Sequence, residues 1–111
     1  MTVDLDAAVR KHCELFNEGF RSGDWAPFVA TFAEDARMAF TNVPAGPFVG
    51  REAIGAAYAA NPPTDTMSIV SVEPLGADTA RARFAWDAGG AGTMVMRWRD
   101  GQVADLEITF R

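Results

Sequence analysis

Thr93-Met-Val-Met-Arg-Trp-Arg99, Asp100-Gly101 and Gln102-Val-Ala-Asp-Leu-Glu-Ile-Thr-Phe110 form the most regular stretch of this chain. Apolar and polar residues alternate on both sides of a turn dipeptide, the period of strands with one covered face and one wet face. Working outward, Thr79 to Asp87 repeats the pattern and Thr66 to Glu73 precedes it. Turn residues separate the runs at Pro74 to Asp78 and at Ala88 to Gly92. Phe84, Trp86, Met94, Met96, Trp98, Leu106, Ile108 and Phe110 are expected on the inner face. Arg81, Arg83, Asp87, Arg97, Arg99, Asp105 and Glu107 are expected on the outer one. A two-residue turn at Asp100-Gly101 would pair Trp98 with Val103 and turn Val103 inward. Keeping Ala104, Leu106 and Ile108 inward as well requires an extra residue, expected near Gly101 in a three-residue loop with a bulge.

The first half has the other period. Leu5, Val9, Cys13, Phe16 and Phe20 recur at spacings of three and four, which predicts an amphipathic helix from Asp4 to Phe20 with His12 at the edge of its stripe. Asp24 is read as the cap of a second helix carrying Trp25, Phe28, Val29 and Phe32, broken at Glu34-Asp-Ala36 and followed by a short strand from Arg37 to Phe40. Asn42 to Pro47 reads as a loop, Phe48-Val49 as a short strand, and Arg51 to Asn61 as a third helix ended by Pro62-Pro63. Helices first and an antiparallel sheet afterwards make an α+β layout with the helices on one sheet face.

The 111 residues, 49% hydrophobic and 23% charged, match one soluble globular domain spanning the chain. Buried aromatic residues are each worth about 1.5–3 kcal/mol, so such a chain builds a core without metal or disulfide. Cys13 is the single cysteine, which excludes an internal disulfide and fits a reducing compartment. The opening Met-Thr-Val-Asp-Leu-Asp is acidic where a signal peptide is basic, and no apolar run approaches a membrane span, so the cytoplasm is the expectation. A net charge of −5 argues against nucleic acid or an anionic membrane as partner.

Arg21-Ser-Gly-Asp-Trp25 running into Phe32-Ala-Glu-Asp-Ala36, then Gly50-Arg-Glu-Ala-Ile54 with Tyr58, then Arg99-Asp-Gly-Gln-Val103 before Leu106-Glu-Ile108 resemble the nuclear transport factor 2-like superfamily. That superfamily includes ketosteroid isomerases and SnoaL-like polyketide cyclases. The resemblance covers nearly the whole chain and implies a cone of about three helices on a curved, mostly antiparallel sheet. It also implies a ligand pocket in the gap and dimerisation through the outer sheet face, here Arg81, Arg83, Arg97, Asp105 and Glu107. Carried onto this chain, the ketosteroid isomerase pattern puts its oxyanion-stabilising tyrosine at Phe16, its general base at Phe40 and its oxyanion-hole acid at Met94. All three are apolar, so that chemistry has no titratable base and no donor. The epoxide-hydrolase and dehydratase constellations of the superfamily find no match either.

The polar residues left near the implied pocket are His12, Cys13, Asn17, Tyr58 and Asn42. His12 is the candidate catalytic residue, able to move a proton near neutral pH; the alternative is a partly exposed histidine at a helix edge. Cys13 reads as an inert buried thiol. Asn17 and Tyr58 are candidates for orienting a ligand, with a helix-surface asparagine and a core tyrosine as alternatives. Phe16, Phe20, Met38, Phe40, Phe84, Trp86, Met94, Met96, Trp98 and Ile108 would line a soft apolar pocket for a flat steroid-like or polyketide-like molecule, or equally fill a packed core. Gly89-Gly-Ala-Gly92 precedes a strand, not a helix, and reads as a hairpin tip. No cofactor and no metal is expected. Two functions stay open: a small-molecule binding protein or lyase, isomerase or cyclase, and a non-catalytic dimeric interaction domain with a filled cone.

Overall fold

The computed structural model describes residues 4–110. Met1 to Val3, part of the acidic N-terminal reading, lie outside the described residues.

Helix α1 (Leu5–Ser22) starts where the Asp4 carboxylate accepts the Ala7 N–H at 3.1 Å and ends where the N–H of Gly23 returns to the Gly19 carbonyl. Its buried stripe is Val9, His12, Cys13, Phe16 and Gly19. The helix therefore presents a face rotated from the expected one. Trp25 covers Gly19 so closely that an added Cβ would lie 2.5 Å from the indole, and this turns Phe20 outward to 38% exposure.

Helix α2 is a single turn (Ala26–Val29), with the Asp24 side chain on the Ala26 N–H at 3.0 Å. Strand β1 runs from Phe32 to Phe40, so Phe32 and Glu34-Asp-Ala36 are strand, not the end of a helix. A register shift between Phe32 and Arg37 explains the misreading: the burial order of β1 is not a strict alternation, so the period of two is hidden at its start. Strand β2 (Phe48–Val49) leads into helix α3 (Arg51–Ala60), which buries Ile54 and Tyr58. Strands β3 (Met67–Pro74), β4 (Thr79–Trp86), β5 (Ala91–Arg99) and β6 (Gln102–Phe110) complete the sheet.

The strand order is β2-β1-β6-β5-β4-β3, antiparallel except where β1 runs parallel to β6. The fold is the expected α+β arrangement of helices on a mostly antiparallel sheet. The β5–β6 turn differs from the expected loop. Asp100 and Gly101 alone make it, with φ of 53° and 77°, and they pair Trp98 with Val103. The extra residue sits further along at Val103-Ala104, which are both buried, and beyond it Asp105 faces Arg97 and Leu106 faces Met96. The bulge is thus present, displaced from the turn into the strand.

On the outer face Arg81 pairs with Glu73, Arg97 with Asp105 and Arg99 with Asp35, all within the chain. No helix among the described residues is long and apolar enough to cross a membrane.

Candidate functional site

Between the helices and the inner sheet face lies a cavity of about 750 Å³. Helix α1 contributes His12 and Phe16, β1 contributes Met38 and Phe40, and α3 contributes Ala57 and Tyr58. Phe84 and Trp86 of β4, Met94 of β5, and Leu106, Ile108 and Phe110 of β6 form the sheet wall. Phe48, Met67 and the exposed or half-exposed residues Ala45, Asn61, Pro63, Thr64, Asp65, Ala88 and Gly89 complete the lining.

The sheet wall holds nearly parallel aromatic rings: Phe40 stacks on Phe110 at 5.7 Å between centroids, and Trp86 on Phe110 at 6.3 Å. Gly92 makes room for the Phe84 ring beside them. It stands in register between Phe84 of β4 and Phe110 of β6, and an added Cβ there would lie 2.5 Å from the Phe84 ring and 2.8 Å from the Thr109 carbonyl. A side chain on β5 at this point would occupy the space the Phe84 ring uses.

His12 is the one buried polar or charged residue among the described residues, at 4% exposure. Phe28 lies 4.8 Å from its ring centroid and Phe32 lies 6.0 Å away. Its Nδ1 is enclosed without a hydrogen-bond partner among the described residues. Burial lowers its pKa to about 4, so the imidazole is neutral at neutral pH. This corrects the expectation of a partly exposed helix-edge histidine. The α2 turn and the start of β1 close over it, and a sequence reading that makes Phe32 helical cannot foresee the closure.

Tyr58 is buried, its hydroxyl donates to the Met38 sulfur at 3.7 Å, and burial raises its pKa. Sulfur is a weak acceptor, so this O–H keeps most of its capacity to donate. Phe16, Phe40 and Met94 also reach the cavity, and none of them has a titratable atom.

Six residues expected at or near the pocket lie elsewhere. Phe20 faces outward for the reason given above. Asn17 is turned to the β3 backbone, its amide donating to the Met67 carbonyl at 2.8 Å and accepting the Met67 N–H at 2.9 Å. Met96 and Trp98 share the inner sheet face with Met94 but sit further along β5, at 0% and 5% exposure, packed in the core beyond the cavity. The Asn42 side chain clamps the Phe110 backbone, donating to its carbonyl and accepting its N–H, so it closes a strand end. Cys13 is buried, its thiol 3.3 Å from the Met67 carbonyl and its pKa raised by burial.

The sequence reading missed Phe48, Met67 and the segment from Asn61 to Asp65. The signal was present only indirectly, in the Pro62-Pro63 break that forces the chain across the cavity edge. Among the described residues no group of acidic, histidine or cysteine side chains is placed to hold a metal ion.

The model of the SnoaL-like domain matches residues 9–106. No curated protein matches the sequence. Among solved structures, an NTF2-like protein of unknown function from Burkholderia pseudomallei is 17% identical with a TM-score of 0.74, over 98% of this chain and 92% of that one. A protein of unknown function with a cystatin-like fold from Methylobium petroleophilum is 17% identical with a TM-score of 0.72, over 99% and 79%. A candidate polyketide cyclase from Xanthomonas campestris pv. campestris is 17% identical with a TM-score of 0.67, over 95% and 91%. At such identities these likenesses speak for the fold alone. The match from residue 9 to residue 106 covers most of the chain, which therefore belongs to the SnoaL-like domain family.

Proposed function

We propose that this SnoaL-like domain takes a small, flat, apolar molecule into the cavity between helices and sheet, with His12 and Tyr58 as the polar groups that orient it. The observation that carries this reading is an apolar cavity of about 750 Å³ that reaches a buried histidine. Cavities of this size suit ligands of drug or steroid dimensions.

The cyclase- or isomerase-like role that the family supports would use the same space. A neutral imidazole with a pKa of about 4 is a weak base in the empty cavity. It gains basicity only when negative charge develops beside it, because that charge offsets the burial penalty of the imidazolium. His12 would therefore take a proton from a bound carbon acid as an enolate forms, and return it to another position. Tyr58 is the available donor to the developing oxyanion. The ketosteroid isomerase arrangement itself is not proposed, since Phe16, Phe40 and Met94 offer neither base nor donor.

A purified sample extracted and analysed by mass spectrometry should yield a co-purifying apolar compound. A neutral, polarity-sensitive naphthalene dye should bind saturably and quench Trp86. An empty extract together with a dye that fails to saturate would sink the reading. Once a substrate is identified, His12→Ala that keeps full turnover would remove His12 from the mechanism.

The alternative of a non-catalytic domain with a filled cone is disfavoured by the open volume. We also propose a homodimer through the outer sheet face bearing Arg81, Arg83, Arg97, Asp105 and Glu107. Light scattering coupled to size exclusion checks it; a monomeric mass at micromolar concentration would refute it.

A further inference from the structure

We infer that the cavity takes a lipophilic cation, an aromatic or alicyclic molecule carrying one ammonium group, with the ammonium at the rim beside Asp65 and the apolar body against Trp86, Phe110 and Phe40. This rests on the reading of the cavity as a binding site and names the chemistry of its ligand.

Among the described residues that line the cavity, Asp65 alone carries a formal charge at neutral pH: no Arg, Lys or Glu is found among them, and His12 is neutral there. It forms no ion pair among the described residues. Its carboxylate is nonetheless fixed in place: Oδ1 accepts the Thr66 N–H at 2.8 Å and Oδ2 accepts the Ala88 N–H at 2.7 Å. Each oxygen keeps a second lone pair, so the group remains able to receive a ligand N–H or face a quaternary nitrogen. A charged group held in position loses little entropy when it meets its partner.

The wall behind it is aromatic, and ring faces carry the negative end of the ring quadrupole, with tryptophan the strongest. A cation is stabilised by such a surface, whereas an aliphatic wall would only desolvate it. An anion meets the reverse: a carboxylate or phosphate entering this cavity would find no cation among the described lining residues and Asp65 at the entrance. The net charge of −5 acts in the same direction at longer range.

Three probes of matched shape test the inference: naphthylmethyl-trimethylammonium, its neutral carbon isostere neopentylnaphthalene, and the anion naphthylacetate. Binding to the full chain is followed by Trp fluorescence at low and high salt. The ammonium should bind about tenfold more tightly than the neutral isostere, the combined effect of an aromatic contact and one rim ion pair, and the anion should bind weakest. High salt should shrink the tenfold ratio in the unsubstituted protein, and Asp65→Asn should remove most of it.

A neutral probe that binds as tightly as the ammonium would overturn the cation inference and leave the binding reading standing. An Asp65→Asn protein that weakens both probes equally would do the same, making Asp65 only a clamp between β3 and the β4–β5 turn. Failure of all three probes to bind would remove both readings.

Discussion

Asn17 on α1 and Met67 at the start of β3 are joined by reciprocal hydrogen bonds, the asparagine amide donating to the Met67 carbonyl and accepting its N–H. Strand β3 is the sheet edge, and at Met67 this side chain makes the backbone pairing that a further strand would otherwise make. Asn17→Ala leaves both groups without those partners and should cost about 1–3 kcal/mol. Urea unfolding measures the loss. Amide exchange at Met67 should rise more than at the central strand β5, and uniform exchange would show that the pair does not hold the edge.

Gly92 lies where the Phe84 ring occupies the space of an absent side chain, with the Thr109 carbonyl beside it. Gly92→Ala should destabilise the protein by about 1–3 kcal/mol through overpacking. The Thr109 carbonyl is backbone and yields little, so the Phe84 ring must move, and dye affinity should change along with the melting temperature. A variant with unaltered stability and unaltered dye binding would contradict the tight contact.

His12 makes stability depend on pH. Its folded-state pKa, lowered to about 4 by burial, lies below the 6.5 of a free histidine. Between these values the unfolded chain binds a proton that the folded chain refuses, so stability is complete above about pH 6.5 and falls as the pH drops toward 4. The loss is on the order of 3 kcal/mol. Asp35 and Asp87, whose pKa values are lowered by Arg99 and by the Thr66 and Ser68 hydroxyls respectively, add losses at more acid pH. His12→Leu should abolish the component between pH 6.5 and 4 and leave the more acid component. Parallel denaturant titrations of the two proteins at pH 7, 5.5 and 4.5 decide it: curves that stay parallel would place the imidazole in contact with water.

Cys13 should behave as an inert thiol. Burial raises its pKa and the Met67 carbonyl receives its S–H. Under native conditions a small alkylating reagent should modify it orders of magnitude more slowly than in denaturant, as read by intact mass. Rapid native labelling would mean that α1 and β3 separate readily.

The sheet was the most legible part of the sequence. Thr79 to Asp87, Thr93 to Arg99 and Ala104 to Phe110 each put an apolar residue at every second position, and the inner set from Phe84 to Phe110 and the outer arginines follow from parity within each run. The bulge was also legible in outline, since Val103 and Ala104 cannot both face inward on a regular strand. Its position was not, because the turn and the strand could each hold the extra residue. At the site, the lack of ketosteroid isomerase chemistry could be read from Phe16, Phe40 and Met94. The burial of His12 could not.

Local patterning determined which residues want cover: the two periods are properties of neighbours along the chain, and the turn residues that separate the elements act within a few positions. Tertiary structure alone decided where cover was left incomplete. Trp25 over Gly19 rotates the helix face, Phe28 and Phe32 pack against His12, and Gly92 admits the Phe84 ring. Asp65 is carried to the rim by its bonds to Thr66 and Ala88. A cavity is a volume that no side chain fills, and pocket wall and packed core have the same composition. The difference between them exists only once residues far apart in sequence have taken their places around that volume.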